Sequence, residues 1–149
     1  MTKEELLRMV DDLLPPGSNP TMFLATWDGW VPRVRPMALV RDGLRFYFGT
    51  GRDDAKTDQI AGHPQVEFVA LLRKEGITGY LRVAGKAVEI TGPATHEAWA
   101  RGKGYDMKEF YPRGLDDPQC ILFRVEPESV QLIVPGEMIE TELPTAWFA

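Results

Sequence analysis

Apolar and polar positions alternate at period two along much of this chain, and glycine, proline or aspartate interrupts each run. Alternation of that kind turns one face of a strand to a core and leaves the other to solvent. It predicts strands over residues 21–27, 30–40, 44–48, 65–73, 77–90 and 120–134. Leu44, Phe46 and Phe48 share one face, as do Val66, Phe68, Ala70 and Leu72. Asp28-Gly29 and Asp42-Gly43 are hairpin dipeptides that tolerate positive φ, and Lys74-Glu75-Gly76 is a further turn. Gly85 inside a strand predicts a bulge or the close approach of another backbone, and Pro127 a bulge or bend. Pro32 and Pro36 cannot donate to a ladder, so the strand carrying them has a free edge or a bulge.

Helical spacing is confined to three stretches. Over residues 2–14, Thr2 and Glu5 have capping-box spacing, and Leu6, Val10, Leu13 and Leu14 form an apolar stripe. Pro15-Pro16-Gly17 stops this helix, which is expected to pack over the strands. A short helix over 53–61 is capped by Asp53 or Asp54 and ended by Gly62 and Pro64. A third, over 93–102, turns Ala94, Ala98 and Trp99 inward. Residues 105–115 are aromatic and irregular. The tail, 135–149, carries Trp147 and Phe148, an aromatic pair that suggests docking onto the barrel or onto a second subunit. Many short strands, tight turns and few helices predict one domain, residues 1–149: a small antiparallel β-barrel with peripheral helices.

Composition narrows the classes. A chain of 149 residues suffices for one core. A net charge of −5 argues against general nucleic-acid binding, which needs a basic face. No run of about 18 apolar residues is present to span a membrane, and the charged, amphipathic start is unlike a signal peptide. The single cysteine, Cys120, excludes an internal disulfide and fits a reducing compartment; its neighbours Ile121 and Leu122 favour a buried thiol over a nucleophile. His63 and His96 lie too far apart in sequence to suggest a histidine metal site. The expectation is a cytoplasmic globular protein without a metal centre.

Candidate chemistry concentrates between Val34 and Gln59. Strand, turn and strand lead into Gly49-Thr50-Gly51-Arg52 and then into the second helix. Arg35 on the first strand and Lys56 in the first helical turn could converge on one anion near the helix start. Taken singly, Lys56 is as well explained by solvation and Arg35 by pairing with an acid.

Arg35-Pro36-Met37, the hairpin, Thr50, and Lys56 followed by Gln59-Ile60 resemble the flavin-binding core of the pyridoxamine 5'-phosphate oxidase-like family of FMN-binding split barrels. His63-Pro64-Gln65-Val66, Val83-Ala84-Gly85-Lys86-Ala87 and Phe110-Tyr111-Pro112-Arg113-Gly114 with Asp117-Pro118 extend the likeness, the last of these towards the general stress protein branch. The resemblance implies a homodimer with FMN in a groove between subunits. It implies that Arg35 and Lys56 contact the phosphate, that backbone at Pro36, Met37 and Ala38 meets the flavin ring, and that Thr50 adds a hydroxyl. Tyr111 and Trp147 are candidates to cover the flavin from the second subunit, or to pack the dimer without touching it. No catalytic dyad or triad is expected, because flavins carry their own redox chemistry.

Three departures accompany the resemblance. Asp54 and Ala55 stand where oxidase members usually carry a hydroxyl or basic residue before the lysine. Asp54 would repel a phosphate and could occupy the helix-start amides, which would weaken FMN binding, or else Asp53 or Asp54 turns outward as a simple cap and Arg52 offsets its charge. Tyr80 takes the position of a flavin-contacting glutamine. The C-terminus lacks the Arg-x-His pair with which true pyridoxamine phosphate oxidases hold substrate. The expectation is therefore an FMN-dependent oxidoreductase on some other small molecule. The alternatives are a flavin-binding module without turnover, or a relative using a deazaflavin or no cofactor.

Overall fold

The computed structural model describes residues 1–149. Three helices, α1 (Lys3–Leu13), α2 (Ala55–Gly62) and α3 (Pro93–Arg101), accompany eight strands. The strands are β1 (Thr21–Trp27), β2 (Pro32–Ala38), β3 (Val40–Asp42), β4 (Arg45–Gly51), β5 (Gln65–Lys74), β6 (Ile77–Ile90), β7 (Cys120–Ile133) and β8 (Thr141–Leu143). All neighbours are antiparallel, in the order β2-β1-β5-β6-β7-β4-β3, with β8 added to β7. The fold is the expected antiparallel split barrel with peripheral helices.

The split arises within one run of chain. The predicted strand over 30–40 starts at Pro32 and changes partner at Leu39: β2 pairs with β1, whereas β3, directly after it, pairs with β4. The sheet therefore curls until its two ends meet at a continuous backbone. β2 pairs on one side only, and β4 beyond Tyr47 pairs with β7 alone. Two strand edges thus face one another across an opening. This is how Pro32 and Pro36 are accommodated, since a free edge needs no ladder donor there.

Alternation placed the core correctly. Met22 and Leu24 of β1, Phe46 and Phe48 of β4, Phe68 and Leu72 of β5, Leu81 and Val83 of β6, and Val125 and Val130 of β7 are buried in one cluster. Phe46 packs edge-on to Phe68, and Phe48 stacks on Phe123. β4 buries both faces, because its other side, at Tyr47, meets Ala98, Trp99 and Met107 of the α3 region. Gly49 lets the Met107 side chain lie directly against β4, where a Cβ would displace its terminal methyl. Gly85 marks a bulge as expected. The register shifts beside it, leaving Glu128 of β7 unopposed, and a Cβ would strike the Glu126 carbonyl.

α1 closes one end of the barrel with Leu6, Val10 and Leu14, and its Thr2–Glu5 capping box is formed in both directions. Several local expectations are corrected. Asp28-Gly29 is part of a longer loop, in which Asp28 accepts from the Trp30 and Val31 amides. The next turn is Gly43-Leu44, one residue later than Asp42-Gly43. Ala94 is exposed, since α3 packs through Ala98 and Trp99 only. Cys120 is half-buried at the second cluster's margin. The tail contributes β8 and a 3-10 turn, Thr145–Phe148, that buries Phe148 fully against Phe46. No helix is long and apolar enough to cross a membrane.

Candidate functional site at the split

Thr50 reaches the end of β4 where its partnerless edge opens, and the chain then turns through Arg52 and Asp53 into α2. Asp54 is the N-cap of α2, its side chain accepting from the Lys56 amide at 3.2 Å. Lys56 is buried, and its ammonium donates to Thr50 Oγ1 at 3.0 Å while pairing with Asp54 Oδ2 at 2.7 Å. The Lys56 side-chain contact is the chief cause that holds the Asp54 carboxyl below its ordinary value, with the Lys56 amide, the Lys56 charge and Arg35 adding to it. The carboxylate is thus ionised at neutral pH. Of the two alternatives for Asp54, it is the one in which the acid takes the helix-start amide itself.

Arg35 points inward from β2. Its guanidinium donates to Leu24 O at 3.2 Å, Thr26 Oγ1 at 2.7 Å, Arg33 O at 3.3 Å and Gln59 Oε1 at 3.0 Å. Thr26 in turn donates to the same Gln59 oxygen at 2.5 Å, tying β1, β2 and α2 together. All these acceptors are uncharged, and Arg35 forms no ion pair with any carboxylate. Burial lowers its pKa from the ordinary value, while the charge of Asp54 acts in the opposite direction. Arg35, Lys56 and Asp54 together leave one positive charge in excess.

Met37, Thr50, Lys56 and Tyr111 line a cavity of about 220 Å³ in the split, together with Asp54, Tyr105, Met107 and Phe110. Tyr111 arrives from the irregular segment of the same chain, its hydroxyl lying close over Gly51. Burial raises the Tyr111 phenol above its ordinary value, assisted by Cys120, Asp54 and Asp117. Tyr105, behind it, is pushed up to about 12, mainly by burial, and stacks edge-on against Trp99 and Phe110. Pro36 and Ala38 flank Met37 on the open edge of β2.

Two candidates lie elsewhere in the chain. Tyr80 sits opposite Ile133, at the far end of β7 from Ile121, the residue opposite Thr50, and its hydroxyl bonds Glu140. Trp147 belongs to the tail, which docks at the Arg45 end of β4, where Arg45 donates to Ala149 O. Thr26, Tyr105 and Met107 were not singled out by the sequence, nor was Gln59 as a partner of Arg35. Their only signal is an arrangement built by residues distant in the chain.

A larger cavity of about 630 Å³ lies between the start of α3 and the Gly114–Asp116 turn. Its charged side chains have partners within the chain, His96 with Asp116 at 2.6 Å, Arg52 with Glu89 at 3.4 Å, and Asp117 with the Arg113 and Gln119 amides.

A buried ammonium, a helix-start amide and a hydroxyl lie around the Asp54 carboxylate, which also feels the charge of Arg35, although Arg35 does not line the cavity; these are donors of the kind that take an anion. A phosphate fits this donor set if Asp54, whose side chain is 42% exposed, rotates outward.

Comparison with known proteins agrees with this architecture. General stress protein 26 of Bacillus subtilis (strain 168) is 29% identical over 145 residues, covering 96% of this chain and 99% of that protein. The crystal structure of general stress protein 26 from Bacillus anthracis superposes with a TM-score of 0.68 at 20% identity, covering 93% of this chain and 99% of that one. A heme-binding protein from Mycobacterium smegmatis has a TM-score of 0.77 at 14% identity, covering 99% of this chain but 60% of that one. The family model for pyridoxamine 5'-phosphate oxidase matches residues 8–134, and the chain belongs to that family.

Proposed function

We propose that this protein binds FMN in the split and acts in the cytoplasm as a homodimeric flavin-dependent oxidoreductase on a small molecule. One observation carries the reading: the open edges of β2 and β4 end at a donor set formed by Lys56, Thr50 and the start of α2, which together with Arg35 and Asp54 holds one positive charge in excess. In this reading Lys56 and Arg35 hold the phosphate, and Thr50 orients the Lys56 ammonium. Backbone at Pro36, Met37 and Ala38 presents unpaired edge groups to the ring, and Tyr111 with Met107 excludes water on one side. FMN supplies the electron and hydride exchange.

A second subunit is part of the proposal. The cavity of about 220 Å³ is small beside the 300–1,000 Å³, roughly, of ordinary ligand sites, so a flavin needs a further wall. The outer face of β1 and β2 supplies a surface to recruit one. Phe23, Trp27 and Val34 are exposed there, and Trp30 at the hairpin tip is 84% exposed. Tyr80 and Trp147 would reach a flavin only from such a partner.

The fold likeness to a heme-binding protein suggests a second ligand, but neither of the chain's two histidines lines the split. Titration with FMN and with hemin, followed by anaerobic addition of NADH or NADPH to the flavin-loaded protein, tests the assignment. Saturable FMN binding with bleaching of the flavin band supports it. Bound flavin that neither nucleotide reduces favours a flavin-holding module, and preference for hemin opposes the flavin reading altogether.

A further inference from the structure

Asp54 is the one acid within the donor set, and its place is unusual for a simple cap. Its Oδ1 accepts from the Lys56 amide, while its Oδ2 lies 2.7 Å from the Lys56 ammonium. The same carboxylate therefore takes both of the positive features that a phosphate would use at the start of α2, and it also faces the charge of Arg35. Asp53, next to it, makes no such contact and is exposed.

We propose that Asp54 is a resident counter-ion that competes with the cofactor phosphate for Lys56, and so sets the affinity and the phosphate selectivity of the site. This rests on the FMN reading above. Loading exchanges one anion for another: Lys56 leaves the carboxylate for the phosphate, and Asp54 swings to solvent, where its half-exposed side chain already has room. The exchange has two consequences. The phosphate gains less than it would from an unpaired lysine, because an existing ion pair is lost. The displaced carboxylate also remains near the bound dianion and repels it. Selectivity for FMN over riboflavin, which lacks the phosphate, is correspondingly narrow.

Replacing Asp54 with Asn separates the charge from the cap, because asparagine caps a helix start about as well as aspartate. The test is parallel titration of wild type, Asp54→Asn and Asp53→Asn with FMN and with riboflavin, followed by quenching of flavin fluorescence. The expected result is that Asp54→Asn tightens FMN by about tenfold, the scale of one charge-assisted contact, with riboflavin affinity unchanged. Asp53→Asn should leave both unchanged. FMN binding by Asp54→Asn with none detectable in wild type supports the competition at Lys56 but overturns the reading that the wild-type protein holds FMN, so the two failures stay distinguishable. Equal FMN affinity in wild type and Asp54→Asn overturns it while leaving the flavin reading intact. Equal tightening by both variants also overturns it, since net charge and not the Lys56 contact would then be responsible. Absence of FMN binding in all three proteins overturns both readings together.

Discussion

Lys56 reaches back over the first turn of its own helix to Thr50, its ammonium donating to the threonine hydroxyl at 3.0 Å from a buried position. The contact joins the last paired residues of β4 to α2 and aims a cation at the mouth of the split. Replacing Lys56 with Ala should weaken FMN binding by about tenfold or more, while riboflavin affinity changes little. Flavin fluorescence titration measures both, and equal losses for the two ligands would argue against a phosphate contact.

Arg41 links α1 to the barrel. Its buried guanidinium donates to the carbonyls of Val10, Leu14 and Gly43 and pairs with Asp11 at 2.8 Å. These bonds satisfy carbonyls at the C-terminal end of α1, where a cation is also favoured by the helix dipole. Arg41→Ala should cost about 2 kcal/mol of unfolding free energy, the scale of leaving buried carbonyls without their donor. Arg41→Lys should recover only part of it, because one ammonium cannot span Gly43 and the helix end together. Urea denaturation of the three proteins provides the comparison, and an unaltered midpoint in Arg41→Ala would contradict it.

Asp28 gives the β1–β2 loop a pH dependence. Its carboxyl is held down to about 2 from 3.8, first by the Val31 amide, then by the Trp30 amide and Arg33. A depressed carboxyl stabilises the folded state above its unfolded value and loses that contribution as pH falls. The difference in melting temperature between wild type and Asp28→Asn should therefore be complete above pH about 4 and shrink as pH approaches 2. A difference that stays constant through this window would exclude the assignment.

The strands and the core were legible because burial and period two coincide: Val66, Phe68, Ala70 and Leu72 alternate in the sequence and all four are buried. The Thr2–Glu5 capping box and the Gly85 bulge were equally readable, each being a local constraint with a residue signature. The change of partner at Leu39 was not, because residues 32–42 are extended throughout and only the surrounding sheet decides which strand lies beside them. β8 is three residues long and makes no periodic pattern. The triad of Thr26, Arg35 and Gln59 joins residues 9, 24 and 33 positions apart. Lys56 and Thr50 could be named from the resemblance, but the ion pair with Asp54 depends on rotamers that the cap geometry selects.

Whether the split holds FMN is decided by titrating the wild-type protein with FMN while following flavin fluorescence and, in parallel, the sedimentation of the complex. Saturable quenching at one FMN per chain, carried by a dimer, is the expected result. A folded protein that leaves FMN fluorescence unchanged at every concentration would contradict it.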